Sequence, residues 1–222
     1  MNSQSEEDYL KAVYHLQKEK KESVSTNAIA SYLEMKPSSV SDMLKKLAEK
    51  KLIYYKKYKG SSLTKKGKLI ALSIIRKHRL WETFLVDKLG FGWGHVHNIA
   101  EQLEHIDSEE LIDKLDDFLK FPKYDPHGDP IPGKDGMVEA LNQKLLIELQ
   151  KSDKGIITGV KKGTPSLLNY LDKEKIKLGD SIKVLEIREF DGSFLIIING
   201  KKVMLSEKIC KNLLVETYDG DS

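Results

Sequence analysis

The order of local signals over residues 6–68 constrains this chain most. Residues 6–20 read as a helix, because Leu10, Val13, Tyr14 and Gln17 follow the i, i+3, i+4, i+7 spacing of one helical face. Ser3 or Ser5 can cap it, and Glu6, Glu7 and Asp8 suit the positive end of its dipole. Ser25 or Thr26 opens a short second helix with Ile29, Ala30 and Leu33 inward. After the break Glu34-Met35-Lys36, Pro37 begins a third helix, at a position where a missing N–H costs nothing. Val40, Met43, Leu44 and Leu47 form its inner face. Residues 52–64 then read as a strand, a turn near Lys59-Gly60 and a return strand, and Lys65-Lys66-Gly67-Lys68 opens another helix. Two short helices, a tight turn, a β-ribbon and a helix specify a winged helix-turn-helix.

Charge falls on the same segment. Residues 36–68 hold eleven lysines against Asp42 and Glu49, a local +9, whereas the whole chain carries only +3. A basic head on an acidic remainder points to a nucleic-acid partner. The third helix is placed to enter the major groove, with Ser38, Ser39 and Ser41 at its exposed start to meet base edges or phosphates. Lys45, Lys46, Lys56, Lys57 and Lys59 are placed to neutralise phosphates.

Beyond the head, a long helix is expected from Lys68 to about Lys88, and Gly90-Phe91-Gly92-Trp93-Gly94 reads as a turn. Further helices are expected over His95–Ile106 and from Ser108 through Leu119. Pro122 to Gly136, with four prolines and three glycines, reads as a loop. Val138–Leu149 reads as helical. The last ~70 residues change character. Ile156–Thr158, Ser181–Glu186, Phe194–Ile198 and Val203–Leu205 read as short strands, and Asp191-Gly192 and Asn199-Gly200 as hairpin turns. Thr164–Leu171 is a short helix between them. The expected fold is mainly α with small β elements: a winged-helix DNA-binding domain (1–70), a helical metal-binding and dimerisation domain (71–136), a linker or helix (137–152) and an SH3-like β-barrel (153–222).

The apolar runs fall short of the ~20 residues a membrane span needs. The acidic, polar start does not read as a signal peptide. One cysteine, Cys210, leaves no disulfide framework and no cysteine-rich zinc site, so it reads as a buried small apolar residue. A cytoplasmic, reducing setting with no membrane partner is the expectation.

His78 and Glu82 are i, i+4 and share a helix face, as do His97, Glu101 and His105, with Glu104 beside them. Nitrogen and oxygen donors without thiolate suit manganese, ferrous iron, zinc or cobalt. The alternative is a set of solvated faces laced with ion pairs. The His-Glu-x-x-His pattern of zinc proteases is absent. So is the paired Glu-x-x-His of di-iron bundles, because Glu101 and His105 are four apart. No Ser-His-Asp order or phosphate-binding loop is visible, so an enzyme is not expected.

Three further stretches carry a specific resemblance. Arg76-Lys77-His78-Arg79-Leu80, the set His97, Glu101, Glu104 and His105, and the loop His127-Gly128-Asp129-Pro130-Ile131-Pro132-Gly133 resemble the metal-dependent regulators of the diphtheria toxin repressor family. Glu7-Asp8-Tyr9-Leu10 and Lys36-Pro37-Ser38-Ser39-Val40-Ser41 are similar to its manganese-transport-regulator branch. The resemblance covers residues 5 to about 136 well and the terminal β unit more loosely. It implies a dimeric repressor that binds palindromic operator DNA when loaded with Mn2+ or Fe2+ and controls metal uptake, with Zn2+ or Co2+ able to substitute in vitro. The alternatives are a winged-helix regulator of an organic ligand and a metal-buffering protein.

Carried onto these positions, the resemblance implies two clusters. Asp8, Glu101, Glu104 and His105 match the regulatory site. His78, Glu82 and His97 match a second site of iron-type members, although His78 serves the regulatory cluster in manganese-type ones. Iron-type members carry Met and Cys where this chain has Asp8 and Glu101, and hard carboxylates favour manganese by ligand type. Manganese-type members carry a carboxylate where this chain has Lys11. Lys11 is i, i+3 from Asp8, so it is expected either to face the cluster or to pair with Glu7. Gly163 and Ser166 stand where iron-type members supply two further ligands.

Overall fold

The computed structural model describes residues 3–20, 23–57, 59–92, 96–138, 143–161 and 163–218. They form two compact units, neither a continuous stretch. The first takes the chain up to His78 with residues 102–108 and 132–137, and the second takes residues 79–101, 109–131 and the chain from Val138 onward.

In the first unit, α1 (Gln4–Lys20) starts with a reciprocal cap. Ser3 Oγ accepts the Glu6 N–H at 3.3 Å, and Glu6 Oε2 accepts the Ser3 N–H at 3.2 Å. α2 (Thr26–Tyr32) is capped by Ser25, whose hydroxyl accepts the Ala28 N–H at 3.2 Å. α3 (Pro37–Glu49) has Pro37 at its first position. β1 (Ile53–Lys56) and β2 (Gly60–Leu63) pair antiparallel, Ile53 opposite Leu63 and Lys56 opposite Gly60. α4 (Lys65–Asp87) follows at once. A Cβ on Gly67 would stand 1.9 Å from the Leu52 carbonyl oxygen, so only glycine lets the first turn of α4 rest on that backbone. Tyr9, Leu10 and Val13 of α1, Ile29 of α2 and Val40, Leu44 and Leu47 of α3 close the core with Leu52 and Ala71. The helix, helix, ribbon and helix order is the expected winged helix.

The second unit holds the rest of α4, α5 (His97–Leu103) through Glu101, α6 (Glu109–Phe118) and the β elements. Leu80, Ile112, Leu115 and Ile131 cluster among its helices. After β3 (Gln143–Leu145) and a 3-10 turn (Leu146–Glu148) come β4 (Lys154–Val160), α7 (Pro165–Glu174), β5 (Ser181–Ile187), β6 (Phe194–Ile198), β7 (Lys201–Leu205), α8 (Glu207–Cys210) and β8 (Leu213–Thr217). The strands form one antiparallel sheet ordered β3-β8-β4-β5-β6-β7, the expected SH3-like unit. Asn199 and Gly200 both take positive φ in the two-residue β6–β7 turn. Phe194, Ile196, Val184, Val215 and Cys210 are buried in its core. Burial pushes the Cys210 thiol up to about 12. No described helix is long and apolar enough to cross a membrane.

Two expectations are corrected. Val138–Leu149 is not a helix where it is described: residues 143–148 are β3 and the 3-10 turn, and 139–142 lie outside the described residues. Leu146 and Leu149 do share an inward face at i, i+3, but they enter the sheet core while Gln143, Lys144 and Leu145 pair with β8. The sequence reading did not place β8, the strand between β3 and β4. The helix expected over His95–Ile106 is the shorter α5, and the turn at 90–94 lies partly outside the described residues.

Candidate metal centre

The first unit gathers the early turns of α1 and the 102–108 segment. That segment is tied to α4 by Lys77, whose ammonium donates to the Ile106 carbonyl at 3.1 Å. Arg76 does the same for the 132–137 segment through the Pro132 carbonyl at 2.8 Å. Glu104 is fully buried. Its Oε1 accepts from Lys11 Nζ at 2.5 Å, and its Oε2 lies 2.5 Å from His78 Nδ1. Burial acts to raise the Glu104 carboxyl, but His78 and Lys11 hold it below the ordinary range. Both faces of His105 meet α1: Nδ1 is 2.7 Å from Glu7 Oε2, and Nε2 is 3.1 Å from Asp8 Oδ1. Asp8, Glu104 and His105 each present a donor atom within 4.8 Å of the others. Two hard carboxylates and one imidazole form a donor set suited to manganese or ferrous iron.

Placement answers one question that spacing left open, the direction of Lys11. Lys11 faces the cluster and is 9% exposed, while Glu7 turns to His105 instead. His78 reaches Glu104. Glu101 Oε1 lies 3.4 Å from His97 Nε2, one turn back on α5. Glu7 escaped the sequence reading as a cluster member because it also fits a helix-dipole role. Its signal was an acidic residue directly before Asp8.

In the second unit, buried Glu82 stands one turn after His78 on α4. Its Oε1 lies 3.3 Å from His97 Nδ1 and 3.6 Å from His127 Nε2. Burial disfavours charge on His127, yet Glu82 raises its pKa. Asp125 Oδ1 accepts the N–H groups of His127 at 2.8 Å and Asp129 at 3.0 Å, and Arg79 Nε stands 3.3 Å from its Oδ2. Burial pushes the Asp125 carboxyl up to about 6 against the pull of Arg79. A Cβ on Gly128, at φ +86°, would stand 1.9 Å from the Thr158 carbonyl oxygen, so this loop lies directly on β4. His127 and Asp125 were legible only as part of a loop. The further signal is an Asp two residues before a His in a Pro/Gly turn, the spacing of an Asx-turn.

The basic head is divided. Ser38 and Ser39 are exposed at the start of α3, whereas the Ser41 hydroxyl donates back to the Pro37 carbonyl at 3.0 Å. Lys56, Lys57 and Lys59 are exposed on the ribbon. Lys45 pairs with Asp42 at 2.9 Å, and Lys46 with Glu6 at 3.0 Å. The Glu6 carboxyl is buried, which would raise its pKa, but Lys50 and Lys46 bring it down to about 2.

Three family models match consecutive parts of the chain. They are the N-terminal DNA-binding domain of iron-dependent repressors over residues 1–61, their metal-binding and dimerisation domain over 64–133, and the FeoA domain over 144–217. An uncharacterised HTH-type transcriptional regulator of Methanocaldococcus jannaschii is 38% identical over 53% of this chain and 94% of its own length. The diphtheria toxin repressor of Corynebacterium jeikeium is 31% identical over 65% of this chain, which spans 60% of that repressor. A solved manganese-dependent transcriptional repressor in complex with manganese matches with a TM-score of 0.76 and 36% identity, over 96% of this chain and 99% of that one.

Proposed function

This chain belongs to the iron-dependent repressor family, and on that premise we propose that Asp8, Glu104 and His105 hold the divalent ion, Mn2+ or Fe2+, that switches its DNA binding. Members of the family are transcriptional repressors, not enzymes. The reading rests on one observation above others: His105 meets Asp8 of α1 while its neighbour Glu104 is buried against Lys11 and His78. A bound cation supplies the positive charge that makes this gathering of carboxylates favourable. The residues of the chain do the rest. Lys77 fixes the 102–108 segment, Lys11 and His78 orient Glu104, and His105 ties α1 to that segment. α1 and α3 share one apolar core and are bridged by Glu6, so the position of α1 bears on that of the recognition helix.

Glu82, His97 and His127 are a second candidate cluster, with Glu101 beside His97. Ser38, Ser39 and the ribbon lysines are the proposed contacts to a palindromic operator, read by a homodimer in the cytoplasm. The test is fluorescence anisotropy with a labelled duplex selected from random sequence by the Mn2+-loaded protein. Mn2+ or Fe2+ should tighten binding, and His105→Ala should abolish that response with the fold intact. Duplex binding indifferent to either ion would overturn the reading, and a His105→Ala variant with the wild-type response would overturn the site.

A further inference from the structure

Three consecutive residues of α1 carry carboxylates that point to two different places. Glu7 and Asp8 face His105. Glu6, 1% exposed, faces α3: its Oε1 lies 2.7 Å from Lys50 Nζ and 3.0 Å from Lys46 Nζ, and its Oε2 is 2.8 Å from Lys50 Nζ. Successive helical residues are rotated by about 100°, so one turn of α1 can present one carboxylate to α3 and the next two to the cluster. Lys46 and Lys50 are i, i+4 near the end of α3, the helix that carries Ser38 and Ser39 at its start. Glu6 Oε2 also accepts the Ser3 N–H, so the carboxylate is held at the cap of its own helix. A buried carboxylate gripped this way moves with α1, and truncating one partner of such a group leaves the charge uncompensated.

We infer that Glu6 is a positioning residue that carries the state of the Asp8–Glu104–His105 cluster to the recognition helix through Lys46 and Lys50, and that these two lysines anchor the helix rather than contact phosphate. Resting on the metal-switch reading above, this adds the route by which the switch reaches DNA. A shift of α1 at Asp8 displaces Glu6, and with it the end of α3. Without the bridge, the cluster loses this polar hold on the helix.

The experiment uses the full chain, the Mn2+-selected duplex and anisotropy with Mn2+ or with chelator. Glu6→Gln keeps shape and removes charge. Its Mn2+ affinity by calorimetry should stay within about twofold of wild type, because Glu6 does not touch the cluster. The ratio of DNA affinities with and without Mn2+ should fall at least tenfold. Lys46→Met with Lys50→Met removes the bridge from the other side, should give the same loss, and keeps the inference testable if Glu6→Gln misfolds. Adding Glu6→Gln to that pair should change the ratio no further, the sign of one shared interaction. A wild-type ratio in Glu6→Gln, or DNA binding weakened equally with and without Mn2+, overturns the inference alone. A wild-type protein with no response to Mn2+ overturns the metal-switch reading and the inference together.

Discussion

Lys11 lies one turn after Asp8 on α1, and its ammonium donates to buried Glu104 at 2.5 Å. Burying an ion pair costs desolvation, and removing one partner typically costs about 3–5 kcal/mol because the other charge stays behind. His78 on the second Glu104 oxygen softens that loss. Lys11→Met should therefore lower the melting temperature of the metal-free protein, and Mn2+ should restore more stability to the variant than to wild type. Lys11→Glu should raise Mn2+ affinity in calorimetry, since it exchanges a repelling charge for a ligand. Equal melting temperatures and equal affinities would mean that Lys11 and Glu104 are not paired in solution. The sequence placed Asp8 and Lys11 on one helical face but left Lys11 two orientations. Spacing along one helix cannot reveal that a segment about ninety positions later brings a buried carboxylate to that face.

At the scale of elements, the β1–β2 ribbon and α3 carry lysines of different standing. Lys56, Lys57 and Lys59 are exposed on the ribbon, while Lys46 is committed to Glu6. Each phosphate contact contributes about 0.9 to the dependence of log affinity on log salt. Replacing the three ribbon lysines with methionine should flatten the slope by roughly 2–3, whereas Lys46→Met should leave it nearly unchanged. Anisotropy at several salt concentrations measures both, and an unchanged slope for the ribbon variant would show that the ribbon does not touch DNA. The winged helix was legible because each of its helices carries its own cap or proline and a clean apolar stripe. The segment before the sheet was not. Leu146 and Leu149 satisfy a helical spacing, yet pairing of β3 with β8 decides the backbone there. β8 lies some seventy residues further on, beyond any local signal.

Over the whole molecule, α6 is apolar on more than the side that packs within its unit. Ile112 and Leu115 are buried, but Leu111 and Phe118, seven residues apart and so on one face, stay exposed, and Phe121 beyond them is 65% exposed. Extended exposed apolar surface marks an interaction site, and this one lies within the stretch matched by a dimerisation domain. Leu111→Glu with Phe118→Glu should give a monomer by sedimentation and sharply weaken binding to a palindromic duplex. Two half-sites ~34 Å apart need two linked heads. A variant that remains dimeric would place the interface elsewhere. By itself the sequence determined the winged helix, the concentration of positive charge on it, the SH3-like character of the last third and the residue types of the donor set. These follow from periodicity, capping and composition, which act over a few residues. Only the tertiary structure decided that Glu7 joins His105, that Lys11 and His78 share Glu104, and that Glu6 holds α3. Each of these depends on which buried charge finds its counter-charge, and that is set by how distant segments pack.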